Sequence, residues 1–345
     1  MVPMKIKPGN SSTTILAAVL LATLGLSSCA NNAEPAGTDP GAAPDSTLRI
    51  TVSNYPLEFL ATEIAGERAA ITSLTPPGVT PHDLELSPAQ LASLERADLV
   101  FYQSGFQQAI DDALAVTSPA HTLDAAAHAA LLPWVTADLP DDDAHDHHEA
   151  EDHGQESDHS HEHDYEDEHG HDHSGYDPHF WLDPQRSIAV ANALRDELND
   201  IDPAGAEEYQ QNTAALVAAL TELDQAFTAG LSQCQQDTII VTHSAFGYWE
   251  ARYGIHQLAI TGFSPQDEPS PARLVELTKI IGELGITTVF FETLVSPKVA
   301  QTLADESGVN TAVLDPLEGL VDPEQDVLSV SYANLAALQE GLMCH

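Results

Sequence analysis

Apolar positions along the first third of the chain switch between two periods. Residues 48–53 (Leu48, Arg49, Ile50, Thr51, Val52, Ser53) alternate and are β-branched, the pattern of a strand. From Leu57 to Arg68 the apolar residues fall at 57, 60, 61, 64 and 65, a helical spacing. A second strand is predicted over Ala70–Leu74, stopped by Thr75, Pro76, Pro77 and Gly78. Ser87 and Pro88 then open a helix, serine as cap and proline at the first position. Ala97–Tyr102 reads as a third strand and Gln107–Val116 as a helix. Alternating strands and helices predict a parallel sheet with helices on its faces.

The pattern then becomes helical for a long stretch. Pro184–Leu198 is one segment. From Pro203 to Leu231 apolar or ring residues recur at 209, 216, 220, 223, 227 and 231, which marks one buried face. A helix of that length would span roughly 42 Å at 1.5 Å per residue, enough to run along two lobes. Beyond it the alternation resumes. Strands are expected at 238–242, 257–261, 287–291 and 311–314. Helices are expected at 245–253, 271–284, 297–307 and 331–342, with Ser270 and Pro271 repeating the cap-and-proline device. The fold class is therefore α/β: two lobes of similar design, each with a parallel sheet, joined by one helical crossing.

The ends of the chain add an address. Lys5 and Lys7 precede an apolar run from Ile15 to Leu26, which reads as a secretory signal peptide over residues 1–28. Leu26, Ser27, Ser28 and Cys29 resemble a bacterial lipobox, so Cys29 is expected to carry lipid and to anchor the chain without spanning the membrane. Residues 29–47, rich in Pro, Gly, Ala, Asn and Asp, read as a flexible tether. The expected domains are an N-terminal lobe over 48–184, a linker helix over 185–232 and a C-terminal lobe over 233–345. Cys234 and Cys344 are the two cysteines left after Cys29; in an exported chain they are expected to form one disulfide. Two unpaired buried thiols are the alternative.

One segment cannot belong to any core. Residues 145–173 hold ten histidines and twelve carboxylates with no lysine or arginine. The ten are His145, His147, His148, His153, His159, His161, His163, His169, His171 and His173. Imidazoles at this density form auxiliary weak sites for zinc, copper or nickel. The bland alternative is a disordered acidic loop, taken here as 138–177, interrupting the N-terminal lobe. Formal charge is −43, from 54 acids against 11 bases. That balance argues against nucleic acid and anionic lipid as partners and concentrates cations locally.

In open α/β sheets ligands bind at the carboxyl ends of strands. His82 follows the second strand, His179 follows the His-rich strip, and His243 comes directly after Thr242. Asp315 follows Leu314, with Glu318 three residues on. Three imidazoles and one carboxylate suit a tetrahedral or near-tetrahedral zinc site. A lone histidine after a strand is more often a loop or cap residue; the case rests on four in equivalent places. Phe180 and Trp181 are read as packing, and His121, His128 and His256 as surface or loop residues. Glu292 is compatible with supporting a ligand or with capping, and His345 is expected to be free.

These stretches resemble the zinc-binding lipoproteins of bacterial ABC importers, the metal-receptor branch of periplasmic solute-binding proteins. The likeness is carried by Pro77–Asp83, Asp177–Pro184, Val241–Tyr248, Phe263–Pro271 and Leu314–Gly319, and by the His-rich insertion before the second histidine. The resemblance implies a metal held between two lobes joined by a rigid helix. It also implies extracytoplasmic capture of Zn²⁺ and delivery to a permease powered by a separate ATPase, and the block of three histidine ligands falls on His82, His179 and His243. Asp315 matches the usual acidic place and is the preferred fourth ligand; Glu318 is the alternative. Histidine at 243, where manganese-importing relatives tend to carry a carboxylate, favours zinc over manganese. A monomer is expected.

Two rival classes remain. A zinc hydrolase needs an open coordination position and a positioned base, as in H-E-x-x-H on a helix, and the chain has no H-E-x-x-H. The other rival is a surface adhesin or metal buffer without a transporter.

Overall fold

Four strands at the start of the computed structural model form one parallel sheet. They are β1 (Leu48–Val52), β2 (Ala69–Ser73), β3 (Leu99–Tyr102) and β4 (Thr122–Asp124), in the order β2-β1-β3-β4. β5 (Thr238–Val241), β6 (His256–Ala259), β7 (Thr288–Phe291) and β8 (Asn310–Val313) form a second parallel sheet, ordered β6-β5-β7-β8. In each sheet the chain steps first to one side of the opening strand and then to the other. A crevice therefore opens beyond the carboxyl ends of β1 and β3, and again beyond β5 and β7. The structure describes residues 47–134 and 175–345. The leader, Cys29, the tether and all ten strip histidines lie outside the described residues.

Among the described residues five helices begin on a residue whose side chain caps them. α1 (Tyr55–Ala65) starts at Asn54, whose side chain accepts the Leu57 N–H at 3.2 Å. α2 (Pro88–Arg96) opens on a capping box between Ser87 and Gln90. α3 (Gln108–Val116) and the short α4 (Ala126–Ala129) complete the first lobe. α5 (Pro184–Ile201) is capped by Asp183, and α6 (Ala206–Gly230) runs back along it. The second lobe adds α7 (Gly247–Tyr253), α8 (Pro271–Leu284), α9 (Lys298–Ser307) and α10 (Val327–Gly341).

Both sheets are covered on both faces. Leu94 of α2 and Ile110 of α3 pack on Val100 in the first lobe; Leu277 of α8 and Leu303 of α9 pack on Ile240 and Val289 in the second. The opposite faces share one continuous cluster that includes Ile50, Phe101, Leu194 of α5, Leu220 of α6, Ile239 and Leu338 of α10. Two-sided burial is why β3, β5 and β7 read as apolar runs. α6 buries Leu216, Leu220, Leu223 and Phe227 on one face. At roughly 1.5–3 kcal/mol for each such side chain, that face fixes the helix against both lobes.

Polar clamps hold α6 near its two ends. Arg68 donates to Asp202 Oδ2 from Nε at 2.9 Å, and Tyr209 of α6 donates to the same oxygen at 2.8 Å. Farther along, Asp224 accepts from Arg252 Nε at 2.6 Å, Tyr253 OH at 3.0 Å and Gln185 Nε2 at 3.1 Å. The linker is thus pinned to the first lobe at one end and to the second at the other.

Several boundaries differ from the sequence expectation. α1 stops at Ala65 because Gly66 takes a left-handed φ of 53° and begins a 3₁₀ turn. α10 starts at Val327 and not at Ser331, since Asp326 and Ser329 form a capping box that the apolar pattern does not display. β4 and α4 were not expected: Thr122–Asp124 is three residues with only Leu123 buried. Cys234 and Cys344 are disulfide-bonded across 110 residues, which stabilises by about 2–4 kcal/mol. That bond corrects the expectation of a free His345. Its backbone N–H donates to Gln233 O at 3.1 Å, and its Nε2 lies 2.7 Å from Gln235 Nε2. Among the described residues no helix is long and apolar enough to cross a membrane.

Candidate metal centre

Four loops converge at the facing ends of the two sheets. His82 lies in the loop between β2 and α2, and His179 directly before a 3₁₀ turn, Phe180–Leu182, that leads into α5. His243 follows β5 by two residues, and Glu318 follows β8 by five. The first two histidines belong to the N-terminal side of the chain and the last two groups to the C-terminal lobe. All four side chains are 2 % exposed or less.

One carboxylate oxygen organises the cluster. Glu318 Oε1 lies 2.8 Å from His82 Nε2, 3.1 Å from His179 Nε2 and 3.2 Å from His243 Nε2. The Nε2 atoms of His179 and His243 are 3.4 Å apart, and the four candidate donor atoms lie within 4.8 Å of one another. Zinc holds nitrogen at about 2.0–2.1 Å, so the edge of a zinc tetrahedron is about 3.3 Å. The observed separations of 2.8–3.4 Å are close to that edge. An ion can therefore be accommodated by small side-chain movements.

Two of the three imidazoles are oriented from behind. His179 Nδ1 is 2.7 Å from Asp177 Oδ1, which also accepts the His179 backbone N–H at 2.9 Å. His243 Nδ1 is 2.7 Å from Glu292 Oε1, which accepts the His243 backbone N–H at 3.2 Å. A carboxylate on Nδ1 fixes the tautomer that presents Nε2 to an ion and raises its basicity. His82 Nδ1 is buried with no such partner. Phe106, at 5.0 Å, and Phe263, at 4.8 Å, instead hold the His82 ring edge-on.

The electrostatics follow from burial and these carboxylates. Burial lowers the pKa of His82, and the pull of Glu318 does not restore it. Burial also opposes charge on His179, but Asp177 and Glu318 together hold its pKa above the ordinary value. His243 is pushed up to about 10 against its own burial by Glu292 and Glu318. Burial works against the Glu318 carboxylate too, yet His82 and His243 keep its pKa well below the ordinary range. Without metal the cluster holds protons between imidazoles and carboxylates; an ion must displace them.

Asp315, the preferred fourth ligand by sequence, is not brought into the cluster. Its carboxylate accepts from Thr293 Oγ1 and, at 2.8 Å, from the Leu317 N–H, while Asn334 brackets its backbone. Leu317 takes a left-handed φ of 63°, a costly conformation for leucine. The Asp315 side chain stabilises the turn that delivers Glu318. The alternative residue is therefore the one facing the histidines. Burial raises the pKa of Asp315, and Glu292 and Glu318 add to the rise.

Glu292 was left open in the sequence; its contact is with His243. Asp177 was quoted only as part of a motif. A carboxylate within two residues of a candidate histidine is the signal that marks it. Phe180 and Trp181 pack in the core as expected, Trp181 also donating to Pro316 O at 2.8 Å. His121 pairs with Glu197 at 3.1 Å and His256 with Glu250 at 3.1 Å, both on the surface. The flanks of the His-rich segment meet: Trp134 N donates to Gly175 O and Asp177 N to Leu132 O, each at 2.8 Å. The Trp134 ring lies 4.9 Å from Phe263, which covers His82. Trp134, the last described residue before the His-rich segment, thus lies beside the candidate site.

Comparison with known proteins agrees with this geometry. Residues 50–341 match the family described as zinc-uptake complex component A, periplasmic. A zinc-binding protein AdcA of Streptococcus pyogenes serotype M3 is 36% identical over 301 residues, 86% of this chain and 56% of that protein. The chain thus spans about half the length of the streptococcal curated relatives it matches. The high-affinity zinc uptake system protein ZnuA of Bacillus subtilis strain 168 is 30% identical over 323 residues, 92% of this chain and 94% of that one. Among solved structures, the Zn(II)-bound ZnuA-like domain of Streptococcus pneumoniae AdcA superposes with a TM-score of 0.67 at 30% identity, covering 86% of this chain and 99% of that domain.

Proposed function

The chain belongs to the family of periplasmic component A proteins of zinc-uptake complexes, and from that premise we propose that it captures Zn²⁺ outside the cytoplasm and delivers it to an ABC-type permease driven by a separate ATPase. It acts as a receptor and not as an enzyme. The ion is cargo. His82, His179 and His243 supply nitrogen through Nε2, and Glu318 supplies oxygen. Cys29 carries the lipid that keeps the receptor at the membrane surface. The strip 145–173 is an auxiliary, weaker store of metal.

The observation that carries this reading is the convergence of three Nε2 atoms on Glu318 Oε1 within 2.8–3.2 Å. Three imidazoles favour zinc over the oxygen-preferring manganese and magnesium. A dry, closed site with every donor supplied by the chain suits tight capture.

Isothermal titration of the mature chain with zinc tests the binding step. One tight equivalent is expected, retained when residues 145–173 are deleted and lost in His179→Ala. A strain lacking the gene should grow poorly in chelator-treated medium and recover on added zinc. Normal growth and normal zinc content in that strain would count against import.

A further inference from the structure

A cavity of about 280 Å³ lies beside the four-residue cluster and reaches it through one residue. Its walls are Tyr55 and Glu58 of α1, Pro76 and Pro77 of the His82 loop, and Glu318 and Val321 of the loop after β8. Glu318 is 1 % exposed, and only its Oε1 faces the histidines. Oε2 is buried with no hydrogen-bond partner among the described residues. A desolvated carboxylate oxygen without a donor is costly. The mouth is open, since Pro76, Pro77 and Val321 are all exposed. Glu58 stands in the wall half-buried, held by the Ser73 hydroxyl, with burial raising its pKa.

Besides Asp177 and Glu292 behind His179 and His243, rings surround the histidines. Phe106, Trp181 and Phe263 pack against them. On the cavity side the cluster is bordered by Glu318, the one residue that cavity and cluster share. His82 is also the imidazole without a carboxylate behind it, and its loop supplies two walls of the cavity. Glu318, which carries the unpartnered oxygen, and the loop of the least anchored ligand therefore both border the cavity.

We propose that this cavity is the passage by which the metal ion reaches and leaves the centre, with Glu58 the carboxylate that meets the ion on the way and Glu318 Oε2 the oxygen that takes it over. The proposal rests on the four-residue cluster being the metal site. A hydrated divalent ion crossing walls of proline, leucine and valine loses solvation, and one negative charge along the route lowers that barrier in both directions. Glu58 is not placed among the ligands. Its removal should slow arrival and departure alike and leave the equilibrium nearly unchanged.

Stopped-flow fluorescence on the full mature chain tests this with zinc alone as the probe. Trp181 lies 5.4 Å from His179 and reports the centre; residues 145–173 contain no tryptophan. Glu58→Gln, which can still bond Ser73, should lower the association rate and the rate of loss to excess chelator by about threefold each. Glu58→Lys should lower both by about tenfold or more, and the differences should shrink at high salt. Val321→Phe at the mouth should slow both rates without touching any charge. Affinity should stay within about twofold of the parent in all three. Unchanged rates in the Glu58 variants and in Val321→Phe would overturn the passage. A fall in affinity with an unchanged association rate would do so too, by making Glu58 a structural support. Failure of the parent chain to bind zinc tightly would instead defeat the site assignment.

Discussion

Asp315 Oδ1 accepts the backbone N–H of Leu317 at 2.8 Å, and that bond decides which acid faces the histidines. With Asp315 engaged in the turn and Leu317 at a φ of 63°, the chain reverses and Glu318 is delivered to the three Nε2 atoms. Two carboxylates three residues apart therefore have separate tasks. One shapes the loop and the other faces the three histidines.

Substitutions at these two acids should separate the tasks. Glu318→Gln is expected to weaken zinc binding by at least about tenfold, because an anionic donor at a nitrogen-rich site is lost. Asp315→Asn keeps an oxygen for the Leu317 N–H and should cost less than about threefold. Competition against a chromophoric chelator gives both affinities. The reverse ranking would return the ligand role to Asp315.

The carboxylates behind the imidazoles should matter nearly as much as the donors they orient. Asp177→Ala and Glu292→Ala are each expected to cost roughly 10–100-fold in zinc affinity, since Nδ1 of His179 and of His243 loses its acceptor. X-ray absorption of the zinc-loaded variants should show one poorly ordered imidazole in each case. Full affinity with an unaltered spectrum would mean that ring packing alone holds these histidines.

The two-lobe α/β architecture was legible because the inner strands β3, β5 and β7 are largely buried and α2, α5 and α8 open on a capping residue followed by proline. Ser87-Pro88 and Ser270-Pro271 are read from sequence as they stand in the fold. Histidines placed after strands pointed to the crevice for the same reason: strand ends define it. The choice between Asp315 and Glu318 was not legible. It depends on a left-handed leucine and on Thr293 and Asn334, contacts made by distant parts of the chain. β4 escaped notice because three residues carry too little pattern to show a period.

Proton release should accompany capture. His243, with a pKa pushed up to about 10, is protonated in the metal-free centre at neutral pH, and His179 is raised as well. Zinc needs the unprotonated nitrogen, so these protons compete with it. Raised values mean that competition persists above the usual imidazole range. Affinity should climb from pH 6.5 towards about 10, by up to about tenfold per pH unit for each proton displaced. Calorimetry in buffers of different ionisation enthalpy counts the protons. Release of none at pH 7 would contradict the charge assignment.

Acid should empty the strip and the centre separately. The ten histidines of 145–173 stand among twelve carboxylates in the sequence, and ions held there are expected to be shared by few donors at a time. Each such imidazole competes with protons near its ordinary pKa of about 6.5, shifted upwards by neighbouring acids. Metal held there is expected to leave around pH 6. In the proposed centre four buried donors would act on one ion together. A single protonation does not free it, although the raised pKa of His243 makes proton competition stronger there. The joint action of four donors should outweigh that competition and keep zinc bound to lower pH. Zinc release followed against falling pH should show two steps, and deletion of 145–173 should abolish the one at higher pH. A single step, identical in the deletion, would mean that strip and centre do not hold metal independently.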